Sequence, residues 1–161
     1  MVSNEINVAI GEVKLASDSR VLNCQALGSC VAVILYDQDL KIGVVAHVML
    51  PESNGISGKS KKSTKFADIA IRDMLKTLKR KGAKKERLTA KIVGGAHMFK
   101  VNDNLVNDIG LRNAMAARTI LKYEGIEIAG EDTGGDYGRT VKFYATDGKV
   151  KIRSKQGEKE I

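Results

Sequence analysis

Two short apolar runs constrain this chain more than any other feature: residues 31–36, VAVILY, and 42–49, IGVVAHVM. Both are rich in Val and Ile, which suit a pleated surface, and only the polar stretch 37–41 separates them. Strands joined by so short a turn form an antiparallel hairpin, so the start of the first and the end of the second share one end of a sheet. Cys30 immediately precedes the first run and His47 lies near the end of the second. The pattern that specifies a hairpin therefore also brings a thiol and an imidazole together.

The rest of the chain alternates strand-like and helix-like segments, with no long linker and no internal repeat. Further strands are expected at 7–15, 88–93, 126–131, 140–145 and 150–153, the last two closing a hairpin across Thr146, Asp147 and Gly148. The period changes over 66–81, where Ile71, Met74, Leu75 and Leu78 recur at helical spacing and Gly82 follows a basic last turn. A second helix is expected over 109–124, with Asn107 or Asp108 as N-cap, Ala117, Ile120 and Leu121 on one face, and Gly125 as terminator. The expectation is one α/β domain spanning residues 1–161, with two helices packed on mixed or layered sheet. Residues 50–64 stand apart as a polar loop holding the only proline; it is either a surface excursion or a lip over a site next to His47.

Composition narrows the functional classes. With 161 residues and 43% hydrophobic content the chain can bury a sizeable core, so disorder is not the expectation. No apolar run approaches the ~20 residues that cross a bilayer, and the N-terminus lacks a basic-then-apolar leader, so a cytoplasmic protein is expected. Cys24 and Cys30 are the only cysteines, which argues against a disulfide scaffold and leaves thiol chemistry open. The formal charge of +8 concentrates at 59–65, 76–87 and 149–159, but no aromatic residue interleaves with these clusters as a stacking platform would. Nucleic acid is therefore not the expected partner. A basic face for an acidic protein surface, or simply solvated lysines, accounts for the charge.

A cysteine nucleophile needs a neighbouring base, and an acyl-transfer oxyanion needs backbone N–H donors. Gly28 and Ser29 ahead of Cys30 supply a tight turn with amides to spare, and His47 supplies the base. The same residues also admit a bland explanation, Cys30 as a small core residue and His47 as a satisfied core histidine. His97, in the glycine-marked turn GGAHMF, competes as the base. A metal site built from two Cys and two His is disfavoured because Cys24 and Cys30 lack the close spacing of structural zinc ligands.

LGSCVAVILYD, VVAHVMLPES, KFADIAI, AKIVGGAHMF, IGLRNA, EDTGGDYGRT and the terminal SKQGEKEI, taken in order, resemble the chemoreceptor glutamine deamidases of the CheD family across nearly the whole chain. The resemblance implies a layered α/β sandwich related to bacterial toxin deamidases. It also implies a cytoplasmic bacterial or archaeal chemotaxis protein that hydrolyses glutamine side chains of methyl-accepting receptors to glutamate, and a CheC-type phosphatase as regulatory partner. By the same resemblance Cys30 is the nucleophile and His47 the base, with Gly28 and Ser29 at the oxyanion turn and no metal or organic cofactor. The family's third catalytic residue is a threonine, and its position here is Cys24, a weaker hydrogen-bonding group. Either Cys24 orients the imidazole or another polar group has taken over; Asn23 and Gln25 are expected to point the other way. Asp132, Thr133, Gly134 and His97 are candidates for the substrate side, and Arg112 and Arg139 for acidic receptor helices or internal ion pairs. The rival reading is a non-catalytic adaptor that binds receptor and phosphatase.

Overall fold

The computed structural model describes residues 4–53, 63–98 and 108–161. The two apolar runs become strands Val31–Asp37 and Ile42–Val48, in which every residue is buried. A strand apolar on both faces has to be covered on both, and two separate cores do this. On one face Val31, Val33 and Leu35, with Val44, Ala46 and Val48, meet two helices; on the other Ala32, Ile34, Tyr36 and Val45 meet a second sheet.

In chain order the strands are β1 (Glu5–Asn7), β2 (Val13–Ser17), β3 (Val21–Leu27), β4 (Val31–Asp37), β5 (Ile42–Val48), β6 (Leu88–Gly94), β7 (Glu127–Thr133), β8 (Arg139–Tyr144), β9 (Val150–Ser154) and β10 (Gly157–Glu160). The helices are α1 (Ala67–Arg80), between β5 and β6, and α2 (Ile109–Tyr123), between β6 and β7. One sheet has the order β2-β5-β4-β6-β7 and the other β1-β3-β8-β9-β10. Each contains one parallel pair among antiparallel ones, β6 with β7 and β1 with β3. The result is a layered α/β sandwich with mixed sheets, helices covering one sheet and the second sheet covering its other face.

Helix α1 buries Ala67, Ala70, Ile71, Met74 and Leu78, one stripe at helical spacing, and lies over β5 and β2. Phe66 and Lys81, expected as its first and last residues, are its caps. Helix α2 starts at Asp108, whose side chain accepts a hydrogen bond from Leu111 N at 3.1 Å, while the alternative cap Asn107 lies outside the described residues. Among the described residues no helix is long and apolar enough to cross a membrane.

Three strand expectations need correction. Residues 7–15 are not one strand: β1 and β2 belong to different sheets, and the chain turns between them, with Gly11 N bonding to His47 O at 2.9 Å. Strand β3 was not anticipated, because Asn23 and Gln25 interrupt its apolar pattern and its pairing with β8 shifts between Cys24 and Leu27. Strand β10 was missed because all four of its residues are exposed, so no apolar period marks it.

Candidate active site

His47 is the most constrained polar side chain at the end of the central hairpin. Its face of β5 is the one turned toward the second sheet, and it is 3% exposed. The 8–12 turn clasps it: His47 N donates to Glu12 O at 3.0 Å, His47 O accepts from Gly11 N, and the ring Nδ1 lies 2.9 Å from Val8 O. A carbonyl can only accept, so Nδ1 carries the proton and Nε2 is the bare, basic nitrogen. Nε2 is buried and, among the described residues, has no hydrogen-bond partner. Burial pushes the imidazole below its usual range, with the Val8 contact and the Glu12 charge pulling only partly against it. The ring is held neutral in one tautomer.

Cys30 comes to the same place through the strand register. Ala32 pairs with His47, so Cys30, two residues earlier on the same face, is its diagonal neighbour; such pairs stand about 7–8 Å apart. Cys30 is half-buried against the inter-sheet core, and burial raises its thiol above the ordinary value. Thiol and imidazole are not hydrogen-bonded to each other, since Nε2 is unpartnered.

The backbone of the turn before Cys30 is tied down carbonyl by carbonyl. Gly28 O accepts from Ala96 N and Cys30 O from Gly95 N, both at 2.9 Å, and Ser29 O accepts from the side chain of Asn113 at 2.9 Å. Met98 lies across Gly28, with its Cγ 3.1 Å from where a Cβ would stand.

Cys24, the residue at the threonine position, is 1% exposed in the inter-sheet core. Burial first, and the nearby Cys30 second, push its thiol up to about 12. The imidazole Nδ1 is meanwhile taken by the Val8 carbonyl. Asn23 contributes indirectly, since its backbone oxygen accepts from Val8 N at 2.8 Å; Gln25 is exposed.

The remaining candidates fall into a layer beside the 94–98 turn. His97 Nδ1 is 3.0 Å from Asp108 Oδ2 at the start of α2, and His97 N donates to Gly135 O. Asp132 sits between two cations, Arg139 Nε at 3.1 Å and Lys159 Nζ at 3.0 Å. Thr133 accepts from Arg118 Nη2 at 2.8 Å, and Gly134 N donates to Gly94 O at 3.0 Å. Of the two arginines, Arg139 makes an internal ion pair with a side chain 1% exposed, and Arg112 is exposed on α2. No group of three His, Cys, Asp or Glu side chains among the described residues is arranged to hold a metal ion. Residues 54–62 of the polar loop, on which the expected lip falls, and Phe99 lie outside the described residues. The loop's ends are fixed by Ser53 Oγ to Asp68 at 2.7 Å and by Thr64 Oγ1 to Gly11 O.

Two groups at the site were not singled out in the sequence. A main-chain carbonyl such as that of Val8 has no signature. Asn113 had one: it is a polar residue on the stripe of α2 that otherwise buries Gly110, Ala114, Ala117 and Leu121.

Comparison with known proteins gives a consistent picture. The family model described as CheD chemotactic sensory transduction matches residues 49–154. A protein of Caldanaerobacter subterraneus subsp. tengcongensis named probable chemoreceptor glutamine deamidase CheD is 42% identical, over 96% of this chain and 95% of its own length. Proteins of the same name from Archaeoglobus fulgidus and Methanococcus maripaludis are 45% and 44% identical, covering 97% and 92% of this chain and 97% and 94% of their own. The matched span of the family model begins after His47, whereas the alignments to these relatives take in nearly the whole chain.

Proposed function

The chain belongs to the CheD family, and on that premise we propose that it is a chemoreceptor glutamine deamidase in which Cys30 is the nucleophile and His47 the base. The observation that carries the mechanism is the Val8 contact: with Nδ1–H donated to a carbonyl, Nε2 is left free, unprotonated and on the Cys30 face.

Because the resting pair is neutral, the proton moves during attack rather than before it. His47 Nε2 takes the Cys30 proton as the sulfur bonds to the glutamine carboxamide carbon. The carbonyl oxygen becomes an oxyanion, which the amides of the 28–30 turn stabilise. The tetrahedral species collapses by breaking the C–N bond; ammonia leaves, taking the imidazolium proton, and a thioester remains. A water molecule, deprotonated by the same Nε2, attacks the thioester carbon, and expulsion of the sulfur gives glutamate. The regenerated thiolate recovers its proton from His47. Apart from that water, the proton transfers and the nucleophile come from this chain's own groups.

The Val8 carbonyl does for the imidazole what the family's threonine hydroxyl does, which accommodates Cys24 at that position without loss of orientation. Receptor glutamines are the proposed substrate, and the regulatory partner implied by the resemblance, a CheC-type phosphatase, is part of the same proposal.

Incubation with receptor cytoplasmic fragments followed by peptide mass spectrometry tests it. Each modified glutamine gains about one mass unit, and Cys30→Ala abolishes the gain. Deamidation that persists in Cys30→Ala would remove the thiol mechanism, and a wild-type protein that binds receptor without any mass gain would favour the adaptor reading.

A further inference from the structure

Among the described residues, Asn113 is the one fully buried amide side chain that touches both arms of the candidate site, with 0% exposure. From α2 its Nδ2 donates to Ser29 O at 2.9 Å and to Met49 O at 3.1 Å, so one NH₂ group bridges the turn before Cys30 and the residue two beyond His47. The orientation of the amide is forced, because both neighbours are carbonyl oxygens and only the nitrogen end can face them. Its Oδ1 is left buried without a partner among the described residues, which is costly to leave in place. A group needed only to fill this part of the helix stripe would be apolar.

We infer that Asn113 is a positioning residue that aims the Cys30 backbone N–H at the developing oxyanion. The Ser29 carbonyl and the Cys30 N–H belong to one planar trans peptide and point in opposite directions. Holding the carbonyl toward Asn113, in the helix layer, therefore fixes the N–H away from it, toward the face that carries Cys30 and His47. The neighbouring peptides are locked by backbone donors, Gly28 O by Ala96 N and Cys30 O by Gly95 N, so the Ser29–Cys30 peptide is the one whose orientation depends on a side chain. The second bond, to Met49 O, holds the end of β5 against the same anchor and keeps His47 in register with the turn.

The inference rests on Cys30 acting as a nucleophile, but its test does not need the receptor. p-Nitrophenyl acetate acylates the thiol: His47 takes the thiol proton as sulfur bonds to the ester carbon, an oxyanion forms, and its collapse breaks the ester C–O bond, expelling p-nitrophenolate and leaving an acetyl thioester. Iodoacetamide alkylates the same sulfur by displacing iodide and makes no oxyanion. Both rates are measured on the full chain, with Cys30→Ala as background and circular dichroism as the check on folding. Asn113→Ala is expected to slow acylation by at least about ten-fold while alkylation stays within about two-fold, since removing an oxyanion donor altogether costs about 10²–10³-fold. Asn113→Ser, which keeps one donor at shorter reach, gives the same selectivity in smaller degree and carries the test if the alanine variant does not fold. Equal losses with both probes, or unchanged acylation, overturn the inference. If the variants show the selective pattern yet the wild-type protein never deamidates receptor fragments, the result counts against the proposed function and leaves the positioning role standing.

Discussion

Desolvation drives both members of the Cys30–His47 pair toward their neutral forms, the thiol upward and the imidazole downward. The resting state is thus thiol and imidazole, not thiolate and imidazolium, and the pH dependence follows in sign. His47 has to be unprotonated to accept the proton, and a lowered imidazole stays unprotonated to more acid pH, so the acid limb of kcat/KM is expected below about 6.5, the unperturbed histidine value. Iodoacetamide requires the thiolate, so the alkylation rate of Cys30 is expected to climb with a midpoint above about 8.5, the unperturbed thiol value. Cys24, up to about 12 and buried, stays unlabelled in the native protein. An alkylation midpoint near neutrality would show a preformed ion pair and refute this account. At this scale the sequence disclosed that Cys30 and His47 lie at one end of the hairpin, and the family resemblance supplied the catalytic roles proposed for them. It could not disclose what orients the imidazole. The threonine position points to Cys24, whereas the group at Nδ1 is the carbonyl of Val8, and any residue type there would present the same oxygen.

Between strands, the turns decide where the site sits. The 94–98 turn leaves β6 beside the 28–30 turn, and at Gly94 the chain takes φ +114° with the position of a Cβ only 2.3 Å from Cys30 O. A backbone oxygen cannot swing aside as a flexible side chain can. Gly82, at the end of α1, also has positive φ, +89°, but nothing lies within 4 Å of its Cβ position. The two separate conformational strain from collision. Gly82→Ala is expected to cost about 1 kcal/mol, from the backbone conformation alone. Gly94→Ala is expected to cost about 3 kcal/mol or more, because displacement of the Cys30 peptide adds to it. Urea unfolding of both variants measures the difference, and equal losses would mean that the 94–98 turn can move without disturbing Cys30. Helix α1 and the central hairpin were legible because their apolar periods are uninterrupted, and α2 because Ala117 and Leu121 keep its period beyond Asn113. The 8–12 turn was not, since Val8, Ile10, Val13 and Leu15 read as one extended stretch while the chain in fact leaves one sheet there and enters the other. The misread segment is the clasp around His47.

Across the whole molecule, coverage is unequal, and Cys30 and His47 lie at the end of the two strands where it is greatest. Strand β4 has a helix layer on one side and a sheet on the other, with Val31 to Leu35 no more than 1% exposed. Among the described residues, β8 and β9 of the second sheet bury alternate residues and leave one face open, and the edge strand β10 is exposed throughout. The basic tail noted in the sequence resolves on that open face into cross-strand ion pairs, Arg153 opposite Glu158 and Lys151 opposite Glu160, with Lys142 reaching Glu5. Its positive charge is largely answered locally, which sequence order could not show because the partners come from another strand. Exposed pairs of this kind add little to stability, so protection against opening should follow apolar coverage rather than charge. Native-state hydrogen exchange is expected to rank amides accordingly. Those of β4 and β5 exchange only through global unfolding, with a denaturant dependence equal to that of the whole protein, and those of β9 and β10 exchange through local opening at lower free energy. Exchange of β4 at the rate of β10 would contradict the two-core architecture. The ranking also bears on the proposed function: chemistry that depends on a register step and one planar peptide would be carried by the strands expected to open last, while the edge could fray without moving Cys30 or His47.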